Sequence, residues 1–339
     1  MKHWQQYELE ERLQILDIAS ANKALPRLAI EKDWWVTMVL KALSATKYAH
    51  LLSFKGGTSL SKGWSLIERF SEDIDIALRR EDRFAISGTS NAQLAKARRI
   101  ARHYVIRELP KELNSALTAL GILDFIVEPE ADRIVDGTRK ELRADAHPSV
   151  IYVNYKSVVA ETSEYLLPRI KIEISCLSMD EPVEERTIRS FISETVPDAE
   201  DVTVKFNTVI PTRTFLEKIF LLHEEFQKDK PRSYRMSRHL YDLERIMDTS
   251  FGKEALSDKK LYDEIVKHRS VFNKISFVNY SCHTPATVNF IPSKEILPAW
   301  KDDYKALTEH FLYYSNDKLS FKDLMDRVEE LLSRVRCID

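Results

Sequence analysis

The sequence predicts an α+β protein on three observations. Two segments, "EDIDIAL" (Glu72 to Leu78) and "RIKIEIS" (Arg169 to Ser175), alternate apolar and other residues with period two, the mark of a strand with one buried face. Residues 5 to 47 instead place apolar residues at helical spacing, and the chain beyond Pro211 does the same in three long segments. Strands in the middle with helices at both ends give an α+β class, and a boundary near Pro211 divides residues 1–210 from a mainly helical 211–339.

The elements follow in chain order. "AIEKDWWVTMVLKAL" (Ala29 to Leu43) reads as a long helix with a wide apolar face. "HLLSF" is a short apolar strand ended by Gly56 and Gly57, after which Leu60, Trp64 and Ile67 fall at i, i+4 and i+7, predicting a helix capped by Thr58 or Ser59. In "EDIDIAL", Ile74, Ile76 and Leu78 take one face of the strand while Asp73 and Asp75 share the other. "AQLAKARRIARHYVIR" (Ala92 to Arg107) reads as a helix, and "LDFIVEPE", "DGTRKELRADAHPS" and "VIYVNYKSVV" as strands joined by polar loops. "RIKIEIS" turns Ile170, Ile172 and Ile174 one way and Lys171, Glu173 and Ser175 the other; "VTVKFNTVIP" is a further strand. "TRTFLEKIFLLHEEFQ", "SRHLYDLERIMD" and the terminal "SFKDLMDRVEELLSRV" are helices.

Composition narrows the function classes. With 44% hydrophobic and 31% charged residues and a net charge of -2, the 339-residue chain is an ordinary globular protein, long enough for two domains, and any nucleic-acid surface on it must be local. Cys176, Cys282 and Cys337 lie far apart without a CxxC pair, which argues against a disulfide framework or zinc ribbon. The start "MKHWQQYELEERLQIL" is polar, and no apolar run reaches the ~18 residues of a membrane span, so a cytoplasmic protein is expected.

Glycine scarcity makes one site conspicuous. At an average of roughly 7% a chain of this length would carry about 24 glycines; this one has seven, and two of them are adjacent. Such a pair can adopt positive φ and present bare N–H groups at a helix start to an anion such as a phosphate, or it can simply make a tight turn. Asp73 and Asp75, ~6.8 Å apart along one strand face, repel unless cations lie between them. Magnesium suits such oxygen ligands, and two-metal phosphoryl chemistry commonly uses a third acid, for which Glu173 is the candidate. The alternatives are a solvated strand face for the aspartates and a local pair with Lys171 for Glu173. "GGTSLSKG" lacks the order of a P-loop, no GxGxxG or HExxH occurs, and His223 sits in an apolar helix as a packed residue.

"KGGTSLSK" followed by "RFSEDIDIAL" resembles the DNA polymerase beta-like nucleotidyltransferases, and more closely the AbiEii/AbiGii toxin family that includes the MenT toxins. "IEKDWWVTMVLKAL", "RIKIEIS", "TFLEKIFLL" and "RHLYDLERI" extend the resemblance over most of the chain, with "DDYKAL" and "SFKDLMDRVEELL" less specific. The resemblance implies a nucleotidyltransferase domain with a mixed sheet and flanking helices, then a helical domain that completes an active-site cleft. It implies that Gly56, Gly57 and Ser59, in a motif that also holds Thr58, Lys62 and Ser71, meet the nucleotide, that Asp73 and Asp75 hold Mg²⁺, and that Lys218 and Asp242 carry the remaining active-site roles. Lys218 would otherwise be a snorkelling side chain, and Asp242 an i, i+3 partner of Arg245. The general base stays open between Asp242 and Asp75.

The family resemblance further implies an NTP substrate, tRNA 3′ ends as acceptor and a protein antitoxin as partner. Two basic segments are compatible with RNA. In Ala92 to Arg107, Lys96, Arg98, Arg99, Arg102 and Arg107 stand without an acid; in "KDKPRSYRMSRH", Lys228, Lys230, Arg232, Arg235 and Arg238 face only Asp229. Phosphate contacts of this kind give affinity without reading sequence. A solvated basic face is the alternative for each. Transfer to a protein or small molecule, and a non-catalytic nucleotide-binding role, remain as other functional readings.

Overall fold

The computed structural model describes residues 3–135, 138–161, 163, 166–179, 182–200, 202–310 and 318–338. Asp136 and Gly137, in the stretch read as strands and polar loops, lie outside them. The chain forms two compact units, Met1–Gly63 with Ser71–Val209, and Trp64–Phe70 with Ile210–Asp339.

The first unit runs α1 (Leu9–Lys23), α2 (Arg27–Leu43), β1 (Leu52–Lys55), α3 (Gly56–Thr58), β2 (Ile74–Leu78), α4 (Asn91–His103), α5 (Leu109–Ala119), β3 (Phe125–Pro129), β4 (Asp132–Val135), β5 (Thr138–Glu141), β6 (Ser149–Tyr155), β7 (Arg169–Ser175), β8 (Val183–Arg189), α6 (Phe191–Thr195) and β9 (Thr203–Val209). Seven strands form one mixed sheet in the order β3-β6-β7-β2-β1-β9-β8, and β4 and β5 form a separate hairpin. β2 lies parallel to β7, and β1 parallel to β9; the other neighbours are antiparallel. Period-two alternation is visible in β7, whose three isoleucines are buried while Lys171, Glu173 and Ser175 are half-buried. Strand β8 was not anticipated, because "VEERTIR" buries only Ile188 and has no alternating apolar face to read.

Helix α2 is buried on nearly every side and has neither glycine nor proline inside it. Trp34 and Trp35 sit edge to face at 5.3 Å, and Trp35 stacks on Tyr155 at 4.6 Å. Each buried aromatic ring removes 150–250 Å² from water, roughly 4–6 kcal/mol of transfer free energy at about 25 cal/mol per Å². This apolar packing fixes α2 against β7 and β9 and so sets the height of the charged residues it also carries.

The predicted helix from Thr58 through Ile67 is only partly formed. A turn of α3 continues as a wider π turn over Ser59–Gly63 and stops. Ser65 then takes φ 53°, and Trp64–Phe70 belongs to the second unit. The i, i+4, i+7 spacing was misleading because its members serve different cores: Leu60 is buried in the first unit, whereas Trp64 packs edge-on against Phe251 at 5.1 Å in the second. The second unit continues with α7 (Pro211–Glu225), α8 (Ser237–Met247), α9 (Ser250–Ser257), α10 (Lys259–His268), α11 (Leu297–His310) and α12 (Phe321–Val335). Proline at the first turn starts α7, and Ser320 caps α12 by accepting from the Asp323 N–H at 3.1 Å.

Candidate active site

In the first unit, the glycine turn and the acid-bearing strand are packed as one device. Gly56 has φ 78°, a region that favours glycine, and a Cβ built there would stand 2.0 Å from Asp75 Oδ2. The carboxylate of Asp75 thus occupies the space that any other residue at 56 would need. Thr58 ties the turn to the strand a second time: its hydroxyl lies 2.9 Å from Ser71 Oγ and donates to the Asp73 carbonyl at 2.5 Å. Ser59 donates its hydroxyl to the Gly56 carbonyl at 2.9 Å. The helical segment after Gly56 is short, so any anion seated there would be held by local N–H groups and little by a macrodipole.

Asp75 and Glu173 lie on the neighbouring parallel strands β2 and β7, and Asp73 immediately precedes β2. Asp75 of β2 pairs in register with Glu173 of β7, and on its other side with Lys55 of β1. Burial first, then the charges of Glu173 and Asp73, push the Asp75 carboxyl up to about 6, with Lys55 pulling the other way. Glu173 accepts from the Lys171 ammonium at 2.8 Å, the local pair weighed from the sequence. Among the described residues no three His, Cys, Asp or Glu side chains converge as a metal-holding group. The donor set nevertheless suits a hard cation: Asp73 and Asp75 offer carboxylate oxygens, and their mutual repulsion is what a cation relieves. Glu173 would have to exchange Lys171 for the ion.

Lys62, assigned to the nucleotide motif, turns inward. Its ammonium forms a buried ion pair with Asp33 of α2 and lies 4.4 Å above the Phe191 ring. Asp33 also accepts the Phe191 N–H at 2.7 Å, and its neighbour Lys32 pairs with Glu72 at 2.6 Å. Two consecutive residues of α2 therefore hold the end of the glycine turn and the residue just before Asp73. The apolar reading of "IEKDWW" as core missed this, since a propensity count does not say which buried charges have partners.

The second unit gathers Lys218, Asp242 and a residue the sequence did not single out, Arg69. Arg69 donates to both Asp242 oxygens, at 2.7 and 2.8 Å, and Lys218 Nζ lies 2.8 Å from Oδ2. All three side chains are buried. Against burial, which would raise it, Arg69 and Lys218 hold the Asp242 carboxyl well below the usual carboxylate range. Arg245, the i, i+3 alternative, instead lies 3.5 Å from Glu68. His239 beside this cluster is held neutral, foremost by burial and then by the charges of Lys218 and Arg238. An arginine 173 positions before its carboxylate leaves no local signal, although its place two residues before the serine of "RFSED" could have marked it.

The basic segments divide. On α4, Lys96 and Arg99 are exposed, Arg98 lies 3.9 Å from Asp145, and Arg102 turns inward to donate to the Glu130 carbonyl at 3.2 Å. In the second segment Lys230 is exposed, Arg232 pairs with Glu225 at 2.8 Å, the Arg235 N–H donates to Asp303, and Arg238 lies near the Lys218–Asp242 pair.

Comparison with known proteins places this arrangement. A solved structure of MenT4, a nucleotidyltransferase toxin from Mycobacterium tuberculosis, superposes with a TM-score of 0.56 over 96% of this chain and 90% of the other at 15% identity, so the fold is that of a nucleotidyltransferase toxin. Direct comparison with curated proteins gives no match. The model of the AbiEii nucleotidyl transferase toxins of type IV toxin–antitoxin systems matches residues 39–334, and the chain belongs to that family. It is accordingly a nucleotidyltransferase. Among the described residues, no helix is long and apolar enough to cross a membrane.

Proposed function

We propose that this nucleotidyltransferase transfers NMP from an NTP to the 3′ hydroxyl of an RNA, with tRNA the acceptor, in the cytoplasm and under the control of a protein antitoxin. The observation that carries the reading is the close fit of Gly56 against Asp75: a bare-backbone turn beside paired, mutually repelling carboxylates suits a metal-bound triphosphate. Asp73 and Asp75 would hold Mg²⁺, with Glu173 as a third acid. When bound, such an ion neutralises charge on the phosphates and on the attacking and leaving oxygens.

The chain's own residues do the rest. The N–H groups following Gly56 face the phosphates, with Gly57 and Ser59 in the same turn. Thr58 and Ser71 keep the turn in register with the acids. Within the second unit, Asp242 holds Lys218 and Arg69 in a buried cluster. The reaction forms a bond from the 3′ oxygen to the α-phosphorus and breaks the α–β phosphoanhydride. Of the two acids weighed as base, Asp242 is tied into two ion pairs and is a poor proton acceptor, which favours Asp75.

Purified protein incubated with total tRNA and each labelled NTP in turn is expected to label RNA, and Asp73→Ala with Asp75→Ala to abolish it. Label on protein instead would move the acceptor to another class; no label, or undiminished label in the double variant, would overturn the reading.

A further inference from the structure

We propose that Arg102, with Arg98 and Arg133, forms a subsite for a backbone phosphate of the acceptor RNA beside Glu173; this rests on the RNA reading above. The first observation is an underused guanidinium. Arg102 is only 3% exposed, yet its Nε and Nη1 are buried without a hydrogen-bond partner, and Nη2 reaches only the Glu130 carbonyl at 3.2 Å. Leaving a buried charged donor unmatched costs on the order of 1–3 kcal/mol or more. Among the described residues no carboxylate pairs with Arg102: the Glu130 side chain is taken by Arg133 at 2.6 Å, and Asp145 stands between Arg98 at 3.9 Å and Arg143 at 3.5 Å. Burial, and then the charge of Arg133, lowers the proton affinity of Arg102. An anion is the group that would relieve this crowding, and a planar guanidinium with Nε and Nη1 unpartnered suits a phosphate.

The second observation is location. The Arg133 and Glu173 charges interact, and Arg98, Lys55 and Arg133 all act on His147, whose ring lies 3.1 Å from Ser175 Oγ, two residues along β7 from Glu173. These cationic groups therefore adjoin the third acid, where an acceptor strand approaching the reacting centre would pass. Arg102, read from the sequence as one member of a basic helix face, is the member turned inward. The exposed Lys96 and Arg99 of α4 extend the same charge outward.

The test uses the full-length chain, a fluorescent single-stranded RNA ending in a 3′ hydroxyl, and an NTP titrated separately. Arg102→Met is expected to weaken RNA binding about tenfold and to flatten the slope of log K against log salt by about 0.7, the value for one single-strand phosphate contact, with NTP affinity unchanged. A loss of NTP affinity without loss of RNA affinity would assign the phosphate to the nucleotide and overturn the proposal. So would RNA binding unchanged in both strength and salt slope, which would leave Arg102 a packing residue. If Arg102→Met fails to fold, Arg102→Lys is expected to fold and to bind RNA with intermediate affinity, and wild-type affinity in it would count against a forked contact. Wild-type protein that binds no RNA at low salt would overturn the RNA reading itself, and this subsite with it.

Discussion

Asp75 and Asp242 shift in opposite directions, and Gly56 and each of the two aspartates make a prediction. Gly56→Ala must place a methyl where Asp75 Oδ2 stands, at a backbone angle unfavourable to any side chain. A loss of about 2–4 kcal/mol in urea denaturation is expected, together with loss of nucleotide transfer. Asp75 carries a folded-state pKa of about 6, raised by burial and by Glu173. A raised acid binds its proton more tightly folded than unfolded, so stability falls as pH rises from about 4 to 6 and the deficit persists above that. In metal-free buffer at pH 7.5, Asp75→Asn is therefore expected to be about 1–3 kcal/mol more stable than wild type, the gain disappearing below about pH 4; an inactive but less stable variant would contradict this. For Asp242 the sign reverses. Its depressed pKa stabilises the fold above about pH 4 and loses that contribution as pH falls. Asp242→Asn should thus be destabilised at pH 7, with the difference from wild type narrowing in melts at pH 3.

At the scale of elements, α2 does more than fill the core. Asp33 holds Lys62 at the end of the glycine turn and Lys32 holds Glu72 just before β2, so one helix positions both the glycine turn and the acid-bearing strand. Removing one partner of a buried pair leaves an uncompensated charge, which costs about 3–5 kcal/mol. Asp33→Ala should show that loss in chemical denaturation, while Asp33→Ala combined with Lys62→Met should recover most of it; a double variant no better than the single would argue against a paired role. Strands with a buried apolar face, such as β7, were legible as period-two alternation, whereas β8, which buries only Ile188, was not. The end of the α3 helix was not legible, because the apolar residues at helical spacing after Gly63 are claimed by a different core.

At the scale of the whole molecule, the excursion Trp64–Phe70 makes the second unit discontinuous in sequence. It delivers Arg69 to Asp242, so a fragment cut at the boundary read near Pro211 loses that ion pair. The fragment 210–339 is expected to melt well below the same fragment carrying residues 64–70 on a flexible linker, and Arg69→Met in the intact chain should cost about 3–5 kcal/mol. Equal melting of the two fragments would show that the segment contributes no stability there.

The sequence by itself determined the α+β class, the strand faces and the pairing of a scarce glycine turn with Asp73 and Asp75, because those are local matters of periodicity and backbone freedom. Tertiary structure alone decided that Lys62 belongs to Asp33, that Asp242 is clasped by Arg69 and Lys218, and that Arg102 points inward. The first two depend on which distant charge lies within hydrogen-bonding reach in a buried setting, where one partner changes both proton affinity and stability by several kcal/mol, and the third on the distant Glu130 carbonyl that Arg102 meets. No spacing along the chain carries that information.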